Sequence, residues 1–505
     1  MDKNFNLKSN RYKTFPPGPV QATPYSLALK FISNPLPVLV EIVNKYGDIS
    51  HFKFGPKLHV YLINNPYHIE NILVKHDSDF IKSPGLRLAK RVLGNGLITS
   101  EGEMHDVQRR IVKPAFNRDK IRSYGKIILE QCFDYTDSHW NDGMTLNIHK
   151  EMTKLSLSII SKILFGSNSI TLSDIDKISN SITTIIEYIN RLRIPYLRVI
   201  QILPLPSTLR YRQALRGLDR LIYDKIIERR KIIEDMSGSS SSSDTIGKFM
   251  SEKADEPYNQ NYADMLSILI NSTDNKNTEN RGNVQANETA LKMTNKQLRD
   301  EVMTIFLAGH ETTANALTWA LFLISQHPEV ESKIMDEIDS VTETEKNNHK
   351  IIEFEDLPKL KYTEMVLMES MRLYPPSWAI GRQAIKDYVL DDKYVIPSGS
   401  VIIMSQYLMH RDARYFSHPE RFYPERWSPK FRASIPRFSY FPFGGGPRSC
   451  IGEPLAWIEG VIILATILKK WKVILEEDAQ NIKLQPLVTL RPKCGIRMKL
   501  RKRQY

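Results

Sequence analysis

Cysteine is scarce in this sequence. Three cysteines occur among 505 residues, and Cys132, Cys450 and Cys494 lie far apart. Their odd number and wide separation argue against a disulfide framework and favour a reducing compartment, so we expect a cytoplasmic protein. No ligand pattern surrounds Cys132 or Cys494, and both are predicted to be small packing residues of the core.

Long apolar runs are missing as well. A helix that crosses a bilayer needs about 20 mainly apolar residues, whereas residues 1–15 carry scattered Phe and Leu among Lys, Asn and Arg. We therefore expect a polar N-terminal tail over 1–15, with no signal peptide and no integral membrane anchor. The stiff turn Pro16-Pro17-Gly18-Pro19 is expected to open the folded body.

Acidic residues are too few to balance the basic ones. The formal net charge is +13, which favours acidic partners or an anionic membrane surface. The sequence has no concentrated basic tract with interleaved aromatics and no recognisable nucleic-acid module. We therefore expect no nucleic-acid partner.

Hydropathy periodicity predicts a mainly α-helical chain with minor β-structure. Helical periodicity dominates from Pro66 to Trp471. Polar or serine-rich stretches at 237–243 and 272–288 interrupt it and are expected to be surface loops. Alternating apolar residues predict a hairpin over 49–63 and further strands at 394–396, 401–404 and near 490–500.

One predicted helix has an unusual centre. Thr294 and Gln297 have the form of a capping box, and an apolar pattern without proline predicts a helix of roughly 30 residues that ends before Pro328. Its centre reads Ala308-Gly309-His310-Glu311-Thr312-Thr313. A glycine there costs about 1 kcal/mol against alanine, and an acid beside two threonines should avoid apolar packing. A functional reason for this segment is therefore expected.

The strongest motif lies between Phe443 and Gly452. Three glycines at 444–446 allow a tight turn and a close approach to a flat ligand. Cys450 stands just before a predicted helix over 454–470, so backbone N–H groups and the helix dipole favour its thiolate form, which an iron ligand requires. A glycine-rich anion-binding loop or a plain turn is the alternative interpretation of the glycines alone.

Five residues of this motif resemble the haem-binding signature of the cytochrome P-450 family: Phe443, Gly446, Arg448, Cys450 and Gly452. The resemblance extends from Pro16 to about Leu500, so it implies one domain over 16–505 with that family's triangular, mainly helical prism and small β-sheets. It also implies haem b (iron protoporphyrin IX) as the cofactor, with Cys450 as the axial iron ligand.

A charged pair precedes the motif. Glu369 and Arg372 are spaced i, i+3 on a predicted helix stopped by Pro375-Pro376, so they share one face and can form charge-assisted hydrogen bonds. An isolated pair of this kind is usually a solvated surface pair. The resemblance identifies Glu369, Arg372 and Arg426 as the family's structural triad, which supports the cysteine loop and performs no chemistry.

The resemblance also implies roles for the unusual helix centre. Glu311 and Thr312 are similar to the family's acid–alcohol pair, which delivers protons during oxygen activation. A hydrogen bond from Thr312 to the carbonyl of Ala308 would leave a groove at Gly309 for dioxygen and water. His310 is predicted to be a packing or hydrogen-bonding residue rather than a ligand.

Haem propionates require cations. His105 and Arg109 are four residues apart on a predicted helix, so both can face one propionate. By resemblance, Arg382 and Arg448 are further candidates, and a surface arginine is the alternative for Arg382.

We expect an acidic electron donor to dock on the cysteine side of the haem, on the helix that begins near Met104, where Arg110 and Lys113 can point to solvent. By resemblance Lys430, Arg432 and Arg437, which precede the motif, approach the same side. A solvated basic face without a partner is the alternative.

The resemblance implies a monooxygenase that inserts one atom of O2 into a small apolar substrate by hydroxylation or epoxidation. Few residues follow Gly452, so no flavin reductase domain is expected there. Electrons from NAD(P)H should arrive through a separate ferredoxin or flavodoxin and its NAD(P)H-dependent reductase. The alternatives are a peroxygenase or haem-thiolate isomerase without a redox partner, which usually lacks the acid–alcohol pair, and a non-catalytic haem sensor, which has no use for it.

The resemblance places substrate contacts at 80–97, 188–209, 304–308 and 377–380. Their apolar side chains suggest a fatty acid, terpenoid or sterol-like compound, although each residue could equally belong to the core. These residues are Leu86, Leu93, Ile194, Ile202, Leu203, Ile305, Phe306, Ala308, Trp378 and Ile380.

Overall fold

The computed structural model describes residues 15–20, 23, 25–166, 170–191, 203, 205–238, 264–272, 292–342, 352–391 and 393–504. The predicted tail (apart from Phe15), most of both predicted loops, and Ile194 and Ile202 lie outside these residues. Within them the chain is mainly α with minor β, as predicted. The α-helices are α1 (Ser26–Ser33), α2 (Pro35–Tyr46), α3 (Pro66–Glu70), α4 (Pro84–Arg87), α5 (Lys90–Leu93), α6 (Gly102–Val112), α7 (Arg118–His139), α8 (Ile148–Phe165), α9 (Leu172–Arg191), α10 (Pro206–Gly238), α11 (Met265–Asn271), α12 (Asn295–Ser325), α13 (Pro328–Thr342), α14 (Lys361–Leu373), α15 (Gln406–Met409), α16 (Pro429–Ser434) and α17 (Glu453–Lys470).

Short strands complete the fold. They are β1 (Ile49–Phe54), β2 (Leu58–Ile63), β3 (Phe80–Lys82), β4 (Thr145–Asn147), β5 (Ile380–Ala384), β6 (Tyr388–Leu390), β7 (Tyr394–Ile396), β8 (Val401–Met404), β9 (Trp471–Leu475), β10 (Leu484–Pro486), β11 (Leu490–Pro492) and β12 (Arg497–Lys502).

The chain divides into two compact units. The first, called the sheet unit, comprises the described parts of Met1–Leu88, Arg372–Arg421 and Ser428–Cys450. The second, called the helical unit, comprises the described parts of Ala89–Met371, Phe422–Trp427 and Ile451–Tyr505. One domain over 16–505 stays a prediction.

A five-stranded sheet in the order β1-β2-β8-β5-β3 organises the sheet unit. The predicted hairpin is confirmed, because β1 and β2 pair antiparallel with Ile49 opposite Ile63. β2 then pairs in parallel with β8, while β5 pairs antiparallel with both β8 and β3. Buried apolar side chains from these strands and the segments that follow them form the core of this unit, among them Tyr61, Ile402, Met404 and Phe438.

The 31-residue helix α12 runs through the helical unit and packs against α8, α10 and α17. Its predicted capping box is confirmed: the Thr294 side chain accepts from the Gln297 backbone, and the Gln297 side chain accepts from the Thr294 N–H. Two orphan donors at the helix start are thereby satisfied. Among the residues that the structure describes, no helix is both long and apolar enough to cross a membrane.

The segment predicted as strand near 490–500 is divided in two. β11 ends at Pro492, and Gly495 adopts a φ of +77° before β12 begins. Cys494 lies in this turn and is exposed, so the prediction that it is a core packing residue is wrong. The prediction for Cys132 is confirmed, because its side chain is fully buried.

Candidate functional site

The cysteine loop of the sheet unit is a tight, internally bonded turn. The Cys450 N–H donates to the carbonyl of Phe443 over 3.0 Å, and the Ser449 N–H donates to the carbonyl of Gly446 over 3.0 Å. Gly446 has a φ of +72°, and a Cβ there would lie 2.0 Å from the Leu73 carbonyl oxygen. Only glycine fits this position, because another residue would be strained at this positive φ and its Cβ would clash with the Leu73 carbonyl.

The thiol of Cys450 is exposed and takes part in no disulfide. It comes three residues before the first residue of α17. Exposure and a following helix N-terminus are the surroundings in which a thiolate is favoured. Cys132 has the opposite surroundings, because burial raises the pKa of its thiol.

Two of the predicted propionate cations lie in the sheet unit. Arg382 on β5 is 5% exposed and donates to the carbonyl of Gly381 over 3.2 Å. Its burial argues against the surface-arginine alternative. Arg448 donates to the carbonyl of Asp77 over 3.1 Å and lies 3.6 Å from the Asp77 carboxylate.

The other two predicted cations lie on one helix, as expected. His105 and Arg109 are both in α6 of the helical unit. His105 is 4% exposed, and its Nδ1 lies 3.3 Å from a carboxylate oxygen of Asp106. Arg109 is half-buried. Their role at a propionate stays a prediction.

Glu369 and Arg372 are completely buried, and each makes several hydrogen bonds within its own unit. Glu369 accepts hydrogen bonds from the backbone of Tyr423, from Nε of Arg426 and from the indole of Trp427, over 2.9 to 3.0 Å. Arg372 donates to three backbone carbonyls, those of His410, Pro419 and Arg421. Glu369 thus binds residues 423–427 of the helical unit, and Arg372 binds residues 410–421 of the sheet unit. The structural role of the triad stays a prediction.

The centre of α12 is partly open. Residues 301–306 and 313–324 are buried, but Leu307, Ala308, Gly309, Glu311 and Thr312 are only half-buried. A half-buried acid and alcohol are unexpected in the middle of a buried helix. The acid and the alcohol that the sequence predicts to deliver protons are therefore more accessible than the helix on either side of them.

The hydroxyl of Thr312 donates to the carbonyl of Ala308 over 2.8 Å, which is the predicted back-bond. His310 is buried, and its Nδ1 lies 2.8 Å from the carbonyl of Phe306. Burial lowers the pKa of His310 to about 4. A neutral ring bonded to its own helix supports a packing role for His310.

Glu311 is held from outside its own helix. Its Oε1 accepts a hydrogen bond from the hydroxyl of Thr489 over 2.7 Å. Burial raises the pKa of Glu311, while the bond from Thr489 and the nearby charge of Arg491 act in the opposite direction. A carboxyl that retains its proton to higher pH is a better acid near neutrality.

Sequence reasoning missed another buried acid, Glu459, in the middle of α17. Its side chain is 5% exposed, and burial raises its pKa to about 8, against the opposing effect of the Thr313 and Ser156 hydroxyls. Glu459 is therefore mostly protonated at neutral pH. The available signal was a lone acid inside the apolar run from Leu455 to Leu468.

The residues present suit the predicted haem. The sheet unit offers an exposed thiol in a glycine-rich loop, with buried Arg382 in the same unit. In the helical unit Ala308 of α12 is half-buried, whereas a Cβ at Gly309 would lie 3.2 Å from the Ile160 side chain of α8. Within the sheet unit, a thiol that can serve as a soft anionic ligand and a buried arginine are the chemistry that the iron and the propionates of a haem need.

The predicted substrate contacts are divided between core and partly exposed positions. Phe306 is completely buried and packs against Phe165 with ring centroids 6.1 Å apart, which favours a core role. Trp378 and Ile305 are also buried, whereas Ala308 and Ile380 are half-buried. The remaining described positions range from buried Leu93 to half-buried Leu86 and exposed Leu203.

Comparison with known proteins gives one consistent family. The family model for cytochrome P-450 matches residues 16–499. Cyclooctatin synthase of Streptomyces melanosporofaciens is 31% identical over 446 residues, which cover 88% of this chain and 87% of that protein. Cyclooctat-9-en-7-ol 5-monooxygenase of the same organism is 31% identical over 457 residues, which cover 90% and 88%.

A solved structure extends the likeness to the fold. The crystal structure of the cytochrome P-450DA haem domain superposes with a TM-score of 0.77 at 20% identity, covering 98% of this chain and 99% of that one. The fold predicted from the resemblance is thereby confirmed.

Proposed function

Because the chain belongs to the cytochrome P-450 family, and is therefore a monooxygenase with haem as its cofactor, we propose that it inserts one atom of O2 into a small apolar substrate by hydroxylation or epoxidation. Cys450 is the proposed iron ligand, and Glu311 and Thr312 are the proposed proton-delivery pair. The observation that carries the proposal is the half-buried acid–alcohol pair at the centre of an otherwise buried helix.

Bound haem supplies the reductive activation of dioxygen in this family. The chain's own contribution is to position protons. The Thr312 hydroxyl is fixed by its bond to Ala308, and the Glu311 carboxyl is fixed at Oε1 by its bond from Thr489. Since Oε1 accepts the Thr489 proton, a protonated Glu311 carries its own proton on Oε2.

The proposed substrate is a cyclic alkene or alkenol. One relative is named for its action on cyclooctat-9-en-7-ol, a cyclic alkenol by its nomenclature. The half-buried apolar side chain of Ala308 on α12 suits such a guest. Among the classes predicted from the sequence, this favours a terpenoid or sterol-like ring compound over a fatty acid.

The proposed electron donor is an acidic ferredoxin or flavodoxin served by an NAD(P)H-dependent reductase. Exposed basic side chains in and after α16 support it, because Lys430, Arg432 and Arg437 lie shortly before the cysteine loop. A positive surface of this kind steers an acidic partner and acts mainly on the association rate.

Reconstitution with a surrogate ferredoxin and reductase tests the function. We expect NAD(P)H consumption that depends on an apolar substrate and yields oxygenated product. Product formation from hydrogen peroxide alone, with no NAD(P)H-dependent reaction, would instead indicate a peroxygenase. Haem binding without turnover of any substrate in a broad apolar panel would indicate a sensor.

A further inference from the structure

A chain of hydrogen bonds connects Glu311 with three residues outside the acid–alcohol motif. The Thr489 hydroxyl donates to Glu311, and Asn315 Nδ2 donates to the Thr489 oxygen over 3.1 Å. His149 Nε2 lies 3.1 Å from Asn315 Oδ1. Glu311 and Asn315 are one turn apart on α12, Thr489 precedes β11, and His149 is in the first turn of α8.

The donors in this chain all point toward Glu311. Thr489 has one hydroxyl proton, and it is used on Glu311 while the oxygen accepts from Asn315. The amide oxygen of Asn315 therefore faces His149, which must be an N–H donor at Nε2. Asn315 and Thr489 are 0% and 5% exposed, so water does not readily replace these bonds.

The hydrogen-bonded residues also differ in charge. Burial, and then the charge of Arg491, lower the pKa of His149 to about 4, so His149 is neutral at pH 7. Arg491 donates from Nε to the side chain of Gln485 over 3.0 Å, across the β10–β11 pair. The same hairpin thus carries both the hydroxyl and the cation that favour the charged form of Glu311.

An amide side chain does not readily pass a proton from one neighbour to the next, so Asn315 makes a poor proton wire. Its hydrogen bonds with Thr489 and His149 are suited instead to holding the Thr489 hydroxyl in one orientation. We propose that Thr489, Asn315 and His149 form a positioning chain that holds the Glu311 carboxyl in the orientation from which it delivers protons. This inference rests on the proposed function and makes the C-terminal hairpin part of the proton-delivery machinery.

The test uses haem-loaded protein and two changes at one position. Thr489→Val removes the hydroxyl at nearly constant volume, and Thr489→Ser restores it. Thr136→Val is the matched control, because Thr136 is buried and its hydroxyl donates only within its own helix, to the carbonyls of Cys132 and Phe133.

The first readout does not depend on turnover. Infrared difference spectra between each protein and its Glu311→Gln counterpart isolate the carboxyl band of Glu311, whose protonation is followed against pH. Thr489→Val should move the midpoint to higher pH, because a bond to the charged form is lost. Thr489→Ser should restore the wild-type midpoint. His149→Phe, at the far end of the chain, should give a smaller shift in the same direction.

The second readout is product formed per NAD(P)H. Thr489→Val should lower it roughly 2- to 10-fold, the factor that one hydrogen bond is worth. An infrared midpoint that stays at the wild-type pH in Thr489→Val, or that moves equally in Thr136→Val, would overturn the positioning chain. Wild-type coupling in Glu311→Gln would overturn the proposed role of Glu311 itself, whatever the infrared result.

Discussion

Glu459 gives a prediction whose size follows directly from its surroundings. Its carboxyl has a pKa of about 8 in the folded protein, against an ordinary value of 4.5. Between these two pH values the folded state binds one more proton than the unfolded state. Stability must therefore fall as the pH rises from about 4.5 to about 8.

The expected change in unfolding free energy is large for a single residue. The interval from 4.5 to about 8, at about 1.4 kcal/mol per pKa unit, corresponds to about 5 kcal/mol. Glu459→Gln keeps the shape of the side chain and its capacity to bond Thr313, but it does not titrate. The variant should therefore become the more stable protein as the pH rises.

Urea unfolding of wild type and Glu459→Gln across this pH range measures the effect. The difference in unfolding free energy between the two proteins should change by about 4 kcal/mol from pH 4.5 to pH 8, because part of each titration lies outside this range. Exposed Glu187→Gln serves as the control and should follow wild type. A difference between wild type and Glu459→Gln that is independent of pH would refute a buried, protonated Glu459.

Three further predictions follow from the site. Thr312→Ala should retain haem and substrate-induced spectral shifts, while product per NAD(P)H falls and peroxide appears, because positioned proton transfer contributes about 10²- to 10⁴-fold to the rate. Unchanged coupling of NAD(P)H consumption to product would make Thr312 structural only. Glu369→Ala should destabilise the protein by about 3 to 5 kcal/mol, because it leaves buried Arg426 without this carboxylate, and a change below about 1 kcal/mol in urea unfolding would contradict this. Lys430→Glu combined with Arg432→Glu should slow the first electron transfer from an acidic donor at low salt, and the deficit should shrink as the Debye length falls from about 10 Å at 0.1 M to about 3 Å at 1 M. A stopped-flow rate equal to wild type at low salt would place the docking site elsewhere.

Local patterns in the sequence were sufficient for several elements. The capping box at Thr294, the hairpin from Ile49 to Ile63 and the back-bond from Thr312 depend on residues close in the chain, and the structure contains each of them. The cysteine motif is equally local, because its glycines and its N–H bonds lie within residues 443–450.

Long-range pairings could not be predicted from such patterns. Thr489 is 178 residues from Glu311, and β2 pairs in parallel with β8 more than 300 residues later. No periodicity encodes which distant partner an element meets. Cys494 was misjudged for a related reason, because its exposure depends on a turn at Gly495 that interrupts an apparently continuous strand.

The ligand assignment is tested most directly by the reduced carbon monoxide complex of Cys450→Ala. Wild type should give the strongly red-shifted Soret band of a thiolate-ligated haem, and Cys450→Ala should lose both this band and catalysis. Cys494→Ala, which removes the other exposed cysteine, should retain the band. Retention of the red-shifted band in Cys450→Ala would contradict the assignment of Cys450 as the iron ligand.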